Sequence, residues 1–357
     1  MNRNRTGIAF RIMDTLLWCL LCVLLTAGFS KVRALERYVS VSLRYDTPLS
    51  GQAAYNARKY SVERAGEDMF WPTFWRESNM PFSSEFVTAN MDCISFSGDA
   101  VLVWPAAYLA GAAPGVLDNH GCAVSSALAW RLWGSLDVVG MTILADGEKR
   151  VVRGVFEGER ELALLSFRDE DTTQDWSAVE LTGGSTYATR GDAESYAIAS
   201  GLGKPDAVLM GGSLLFLARA MAVLPLFILT GYIVAIIINL LRKHFQVWFR
   251  LCVFLLLIGF AICLPSLLNV LPFWLIPTRW SDFSFWPSLL RKWSDSLMAL
   301  LGMAPGKRDV AVKLLLLSQA GLCFAAVLCA HWKLSVLYSR LSACVPYYKC
   351  QTGSCAR

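Results

Sequence analysis

Charge is scarce in this chain. Only 17% of its 357 residues are Asp, Glu, Lys or Arg, against about 25% in an ordinary soluble domain. The formal net charge of +5 is too mild for a protein built to hold nucleic acid. Histidine is scarcer still. His120, His244 and His331 are the whole set, and their scatter offers no histidine-based metal centre. The signatures of catalysis are missing as well. No G-x-x-x-x-G-K-[ST] loop is there to cradle phosphates. The nearest run, Gly201-Leu-Gly-Lys204, is followed by Pro205 and reads as a hinge. There is no G-x-S-x-G elbow, and Gly183-Gly-Ser185 reads as a turn. No H-E-x-x-H pair occurs. The acidic run Asp169-Glu-Asp171 reads as a solvated turn rather than a cation site. The chain is therefore expected not to be an enzyme, with no catalytic, cofactor-binding or metal-holding residues of its own.

Long apolar runs, by contrast, are plentiful. Four segments, at about 15–29, 214–241, 251–271 and 312–330, carry much of the 55% hydrophobic content. A bilayer core about 30 Å thick needs about 20 apolar residues per helix. The expected class is a membrane protein with four transmembrane α-helices, one followed by three. A large mixed α/β extracytoplasmic domain is inserted between helices 1 and 2. The first segment also has the basic start and small residues of a signal peptide, which leaves cleavage as an alternative. Of the eleven cysteines, Cys19, Cys22, Cys252, Cys263, Cys323 and Cys329 fall in apolar segments, where they act as small apolar side chains. Cys344, Cys350 and Cys355 lie in the tail and read as ordinary thiols.

Arginine and lysine set the orientation. Arg3, Arg5 and Arg11 precede the first span, Arg242, Lys243 and Arg250 flank the link between the second and third, and Lys333, Arg340 and Lys349 follow the fourth. The positive-inside rule puts all three groups in the cytoplasm. Both termini are then cytoplasmic and the chain is a multi-pass protein of a bacterial plasma membrane. The expected division is 1–32 for the N-terminus and first helix, 33–208 for the outer domain, 209–335 for helices 2–4, and 336–357 for a cytoplasmic tail. Within the third part, 273–310 is an aromatic loop with Trp274, Trp280, Phe283, Phe285, Trp286 and Trp293. Trp286, Leu289, Leu290, Trp293, Leu297 and Leu300 recur at helical spacing behind Pro287. That pattern predicts an amphipathic helix over 287–303, lying in the membrane interface or packed on the domain. Arg219, inside the second apolar segment, is expected near the outer membrane edge because a mid-bilayer arginine is costly.

In the outer domain, 141–145, 150–156 and 161–166 read as strands, and 125–132 and 193–199 as helices. Asp146-Gly147 predicts a tight hairpin between the first two strands. Gly134 and Gly140 release the chain from the first helix into that hairpin. Leu128, Leu132 and Trp133 are expected to pack on Val152 and Val155. Cys93 and Cys122 are the only cysteines in the domain. In an oxidising compartment they are a candidate disulfide contributing about 3–4 kcal/mol; the alternative is two buried thiols.

One stretch resembles a known family. Tyr108, Gly111, Pro114 and Asp118 lead into Gly121, Ser125, Leu132 and Gly134. Asp137, Gly140, Asp146-Gly147, then Val151, Gly154, Val155 and Phe156 follow in order. With the one-plus-three arrangement of spans, the order of these motifs resembles the MacB-like ABC transporter permeases. The resemblance implies a MacB-like periplasmic core domain whose fold motif includes Gly121, Ser125, Leu132, Gly134, Asp137, Gly140 and Gly154. It implies a permease or mechanotransmission subunit that relays ATPase motion to the outer domain for export or signalling. ATP would be bound by a separate cytoplasmic ABC ATPase subunit, with a second permease copy or paralogue and membrane lipid as further partners, and no nucleic acid. Arg242, Lys243, His244 and Arg250 stand where the family couples to the ATPase, though the stretch Arg242-Lys-His-Phe-Gln-Val-Trp-Phe-Arg250 departs from the family's coupling pattern. The alternative is a membrane-anchored extracytoplasmic binding or sensor protein without ATPase coupling.

Overall fold

The structure, a computed structural model, describes residues 2–66, 69–84, 87–184, 189–244, 283–302 and 306–351. The chain begins with helix α1 (Asn2–Leu35) and a 3-10 turn (Glu36–Tyr38). Then come β1 (Val41–Leu49), α2 (Gly51–Glu63), β2 (Phe70–Ser83), β3 (Thr88–Ser97), α3 (Ala100–Val103), β4 (Tyr108–Gly111) and β5 (Gly121–Ser125). They are followed by α4 (Ser126–Trp133), β6 (Thr142–Ala145), β7 (Glu148–Phe156), β8 (Leu162–Ser166) and β9 (Trp176–Gly183). The described elements end with α5 (Arg190–Ala199), β10 (Ala207–Met210), α6 (Gly211–His244), α7 (Phe285–Gly302) and α8 (Lys307–Gln351). They fall into two compact units. One comprises Met1–Glu36, Leu215–Thr278 and Leu314–Arg357; the other comprises Arg37–Leu214 and Arg279–Lys313.

The first unit is helical. Among the described residues three helices are long and apolar enough to cross a membrane: Thr15–Tyr38, Gly211–Tyr232 and Lys307–Ser335. They match the first, second and fourth expected spans; 251–271 lies outside the described residues. Leu21 packs with Ala326, Cys329 and Ala330, small residues that let α1 and α8 approach. Gln319 is buried, its Nε2 3.4 Å from the Ala218 carbonyl. Arg219 pairs with Glu36 at 2.7 Å in an exposed ion pair.

The second unit is built on a ten-stranded mixed sheet of order β10-β1-β9-β2-β3-β8-β5-β7-β4, with β6 joining β2 to β7. Most neighbours run antiparallel, whereas β3–β8 and β5–β7 are parallel. Alternation along the strands sorts side chains onto two faces. Leu43, Phe74, Val124, Leu165 and Val179 face a core that also takes in Ala54 and Ala57 of α2, Leu128 and Leu132 of α4, and Tyr196 of α5. Trp75, Ile94, Phe96, Ala123, Leu164 and Ala178 face the opposite way, over Ala100 and Val103 of α3.

The hairpin region forms for the reasons its sequence suggests. Ser125 Oγ accepts from the Leu128 backbone N at 3.1 Å and caps α4. The same oxygen accepts from Leu162 N at 3.1 Å, tying the helix start to β8. Gly134 closes α4 in the left-handed region, at φ 65°. Asp146 and Gly147 turn the β6–β7 hairpin with φ of 49° and 82°, the positive pair a type I′ turn needs. Leu128, Leu132, Val152 and Val155 share the main core, with Trp133 against it.

By its contacts the sheet unit comprises Arg37–Leu214 and Arg279–Lys313, and the start of α8 is bound to the sheet as set out below. Helix α7 belongs to this unit and lies beside β10. One expectation requires correction. The Cys93–Cys122 disulfide does not form; both thiols are free and buried. Cys93 lies on β3 opposite Ala163 and Cys122 on β5 opposite Leu165, with β8 between them. Two strand spacings, with a further two-residue offset along β8, put their Cα atoms more than about 9–10 Å apart, beyond the roughly 7 Å a disulfide can span.

Candidate functional site: a charged joint on the sheet

The most unusual chemistry in the domain is a cluster of buried charge. By strand alternation Ser42 and Arg44 of β1, Glu180 of β9, Trp75 and Glu77 of β2 and Asp92 of β3 share one face of the sheet. Ser42 and Glu180 are direct partners in the β1–β9 ladder. Glu180 is wholly buried. An ionised carboxylate there would be very costly without partners. It has five. Ser40 Oγ donates to Oε2 at 2.6 Å. Oε1 accepts from Ser42 Oγ at 2.6 Å, Trp75 Nε1 at 3.0 Å, Arg308 Nη1 at 2.5 Å and Arg44 Nη1 at 3.4 Å.

Arg308 and its neighbours come from the first turn of α8, far away in sequence. Arg308 Nη2 also donates to Ser40 Oγ at 3.0 Å, and its guanidinium lies over the Tyr38 ring. Arg44, stacked 4.4 Å from the Trp75 ring centroid, pairs through Nη2 with Asp309 Oδ1 at 2.8 Å. Arg44, Arg308, Asp309 and Glu180 are all buried, and their two positive and two negative charges balance.

A second pair of contacts completes the joint. The Lys307 backbone N donates to Glu77 Oε1 at 2.6 Å. This β2 carboxylate thereby caps the start of α8, satisfying a backbone donor that the helix itself leaves open. Burial pushes the Glu77 carboxyl above the usual range, partly offset by the Lys307 and Arg308 backbone N–H groups. Lys307 Nζ pairs with Asp92 Oδ2 at 2.9 Å. The hydrogen bond from Asn79, and then that from Lys307, hold the Asp92 carboxyl below its ordinary value. The cluster contains carboxylates, guanidiniums and hydroxyls held rigidly against each other. It offers no nucleophile with an adjacent base, and no group of three metal-ligating side chains occurs among the described residues. What it can do is fasten.

The residues singled out from sequence lie elsewhere. Gly121, Ser125, Leu132, Gly134, Asp137, Gly140 and Gly154 gather around α4 and the β5–β7 pair, as a folding motif. Gly154 is needed sterically, since a Cβ there would lie 2.4 Å from the Ala112 carbonyl oxygen. Gly140 N donates to Val152 O at 2.8 Å with φ 88°. Burial raises the Cys122 thiol to about 12 and raises Cys93 as well. Asp169 is engaged by Arg58 at 2.9 Å and Ser97 at 2.9 Å, a structural turn. Arg242, Lys243 and His244 continue the backbone of α6; Arg250 lies outside the described residues. None of the joint residues was expected from sequence. The available signal was a charged triplet, Lys307-Arg308-Asp309, directly ahead of an apolar run, together with polar Ser42, Arg44 and Glu180 on otherwise apolar strands.

No family model matches the chain, and no curated protein matches it. Solved structures do. The extracellular domain of the ABC-type transporter YknZ from Gram-positive bacteria aligns at 13% identity and TM-score 0.38, covering 48% of this chain and 97% of that one. The periplasmic region of MacB from Actinobacillus actinomycetemcomitans aligns at 9% identity and TM-score 0.39, covering 49% and 89%. A domain of a protein described as a permease, from Porphyromonas gingivalis, aligns at 13% identity and TM-score 0.34, covering 45% and 81%. Over about half its length the chain is similar to the extracytoplasmic domains of MacB-like and YknZ-type ABC transporters.

Proposed function

We propose that the protein is a permease or mechanotransmission subunit of a MacB-like ABC transport system, relaying ATPase motion to an extracytoplasmic domain for export or signalling. The observation that carries this reading is the joint. The first turn of α8, a helix apolar enough to cross a membrane, is fixed to β1, β9 and β2 by a buried, charge-balanced network. Displacing that turn displaces the sheet, because breaking the network strands buried charge. The motif order from Tyr108 to Phe156 supports the same reading. In it, ATP is hydrolysed by a cytoplasmic ABC ATPase subunit that contacts 242–250, a second permease copy or paralogue completes the assembly, and this chain contributes no chemistry. In this reading both termini are cytoplasmic, in a bacterial plasma membrane, which the arginine and lysine groups flanking the spans support.

A second reading is favoured by one feature. The stretch 242–250 lacks the family's coupling pattern, which suits a membrane-anchored binding or sensor protein without a motor. Purification of the full chain from its own membranes separates the two. A stable complex with a nucleotide-binding protein, whose ATPase activity falls when 242–250 is scrambled, supports the first. Repeated recovery without any such partner supports the second.

A further inference from the structure

We propose that α1, α6 and α8 hold one internal water between them, which donates its two protons to acceptors left short of donors: the Gln319 amide oxygen and the Met221 backbone carbonyl. Gln319 lies in a stretch of α8 apolar enough to cross a membrane and is 1% exposed. Its Nε2 reaches α6, 3.4 Å from the Ala218 carbonyl oxygen. Its Oε1 is buried and has no hydrogen-bond partner among the described residues. A buried amide oxygen without a donor is costly, the more so among apolar helices where no bulk solvent stands by. The second acceptor is made by Pro225, which sits inside α6. Proline has no backbone N–H, so the Met221 carbonyl loses the donor that an ordinary residue four places on would give it. Helix carbonyls point toward the C-terminal end, which puts this one level with Pro225.

Both residues line one cavity. Leu25 and Gly28 of α1, Met221 and Pro225 of α6, and Gln319 and Leu322 of α8 surround it, all within one compact unit. Its volume is about 10 Å³, enough for one water and too small for an organic ligand. Size alone would not fill it, because a purely apolar cavity stays dry. This one has two polar partners, the least that a held water needs. The site lacks two donors, and a water supplies two. The Cys323 thiol also lines the cavity but makes no bond to Oε1. Gly28 keeps the space open. It is buried, and a Cβ there would stand 3.6 Å from Gln319 Nε2 and 3.8 Å from Oε1. An ordered water is one of the few ways an apolar bundle can satisfy the carbonyl that a proline frees.

The test uses the full chain in phospholipid vesicles, with heavy nitrogen only at glutamine. Solid-state NMR reads magnetisation transfer from water protons to the side-chain amides. The Gln319 signal is identified by its absence from Gln319→Leu, and exposed Gln52 is the reference for bulk water. The native chain is expected to show transfer to Gln319. In Gly28→Ser the added hydroxyl enters the cavity, where a Cβ meets only ordinary contacts, and donates to Oε1 in place of the water. Transfer to Gln319 should then be lost while that to Gln52 is unchanged. Transfer should also fall in Pro225→Ala, which returns a helical donor to Met221. No transfer to Gln319 in the native chain, with Gln52 visible, would overturn the proposal, because the cavity would be dry. Transfer that stays unchanged in either variant would overturn it too, since water would then reach the amide without being held by these two acceptors. The result does not depend on whether an ATPase partner exists.

Discussion

Glu180 shows how much one side chain can decide. It sits with no solvent exposure and receives hydrogen bonds from two serines, a tryptophan and two arginines. Glu180→Gln keeps the shape but removes the negative charge, leaving Arg44 and Arg308 buried with only Asp309 to balance them. The expected loss of stability is about 3–5 kcal/mol, the range for breaking a buried pair from one side. Thermal unfolding of the full chain would measure it. Asp92, at the margin of the joint, makes a pH prediction. Its carboxyl titrates below the ordinary value of 3.8 in the folded chain, through Asn79 and then Lys307. A depressed acid contributes stability above the unfolded value and loses it as pH falls through the folded one. The stability difference between the native chain and Asp92→Asn should be present at neutral pH and fade below about pH 4. A difference that grew on acidification would contradict this. Cys93 and Cys122 add a simpler check: both should take up maleimide in denaturant without reductant.

Whole elements were legible where their signals are local. The strands expected at 141–145, 150–156 and 161–166 appear as β6, β7 and β8, and the helices at 125–132 and 193–199 as α4 and α5. The two helices and the β6–β7 hairpin are set by caps and turns whose chemistry depends on neighbours: Ser125, Gly134, Asp146-Gly147, and the Thr189–Asp192 capping box. The expected amphipathic helix appears as α7. Strands β1, β2, β3 and β9 were not anticipated. Buried on both faces in parts, and carrying Ser, Arg and Glu at inward positions, they lack the clean alternation that marks a half-buried strand. The pairing of β4 with β7 rests on Gly154. Gly154→Ala would push a methyl onto the Ala112 carbonyl and should cost about 1–3 kcal/mol, as overpacking generally does. Faster amide exchange in β4 and β7 than in β1 would locate the damage; uniform exchange would argue against this account.

At the scale of the whole chain, the joint predicts a local consequence. In Glu180→Gln, amide protection should fall in β1, β9 and the first turn of α8, while α4 and the β6–β7 hairpin keep theirs, since they share no partner with the network. Loss of protection throughout would mean that Glu180 holds up the fold rather than fastening one turn of it. By itself, the sequence determined the long apolar helices, the mixed α/β domain between the first and second of them and the hairpin motif. These follow from composition, periodicity and turn chemistry, which act between residues close along the chain. Tertiary structure alone decided that Cys93 and Cys122 stand apart across β8, that Arg279–Lys313 joins the domain, and that Glu180 meets Arg308 across a separation of 128 residues. Read in isolation, Ser42, Arg44 and Glu180 look like solvent-facing positions. Only the order of strands in the sheet, set by pairing between distant segments, places them where a helix arriving much later can bury them.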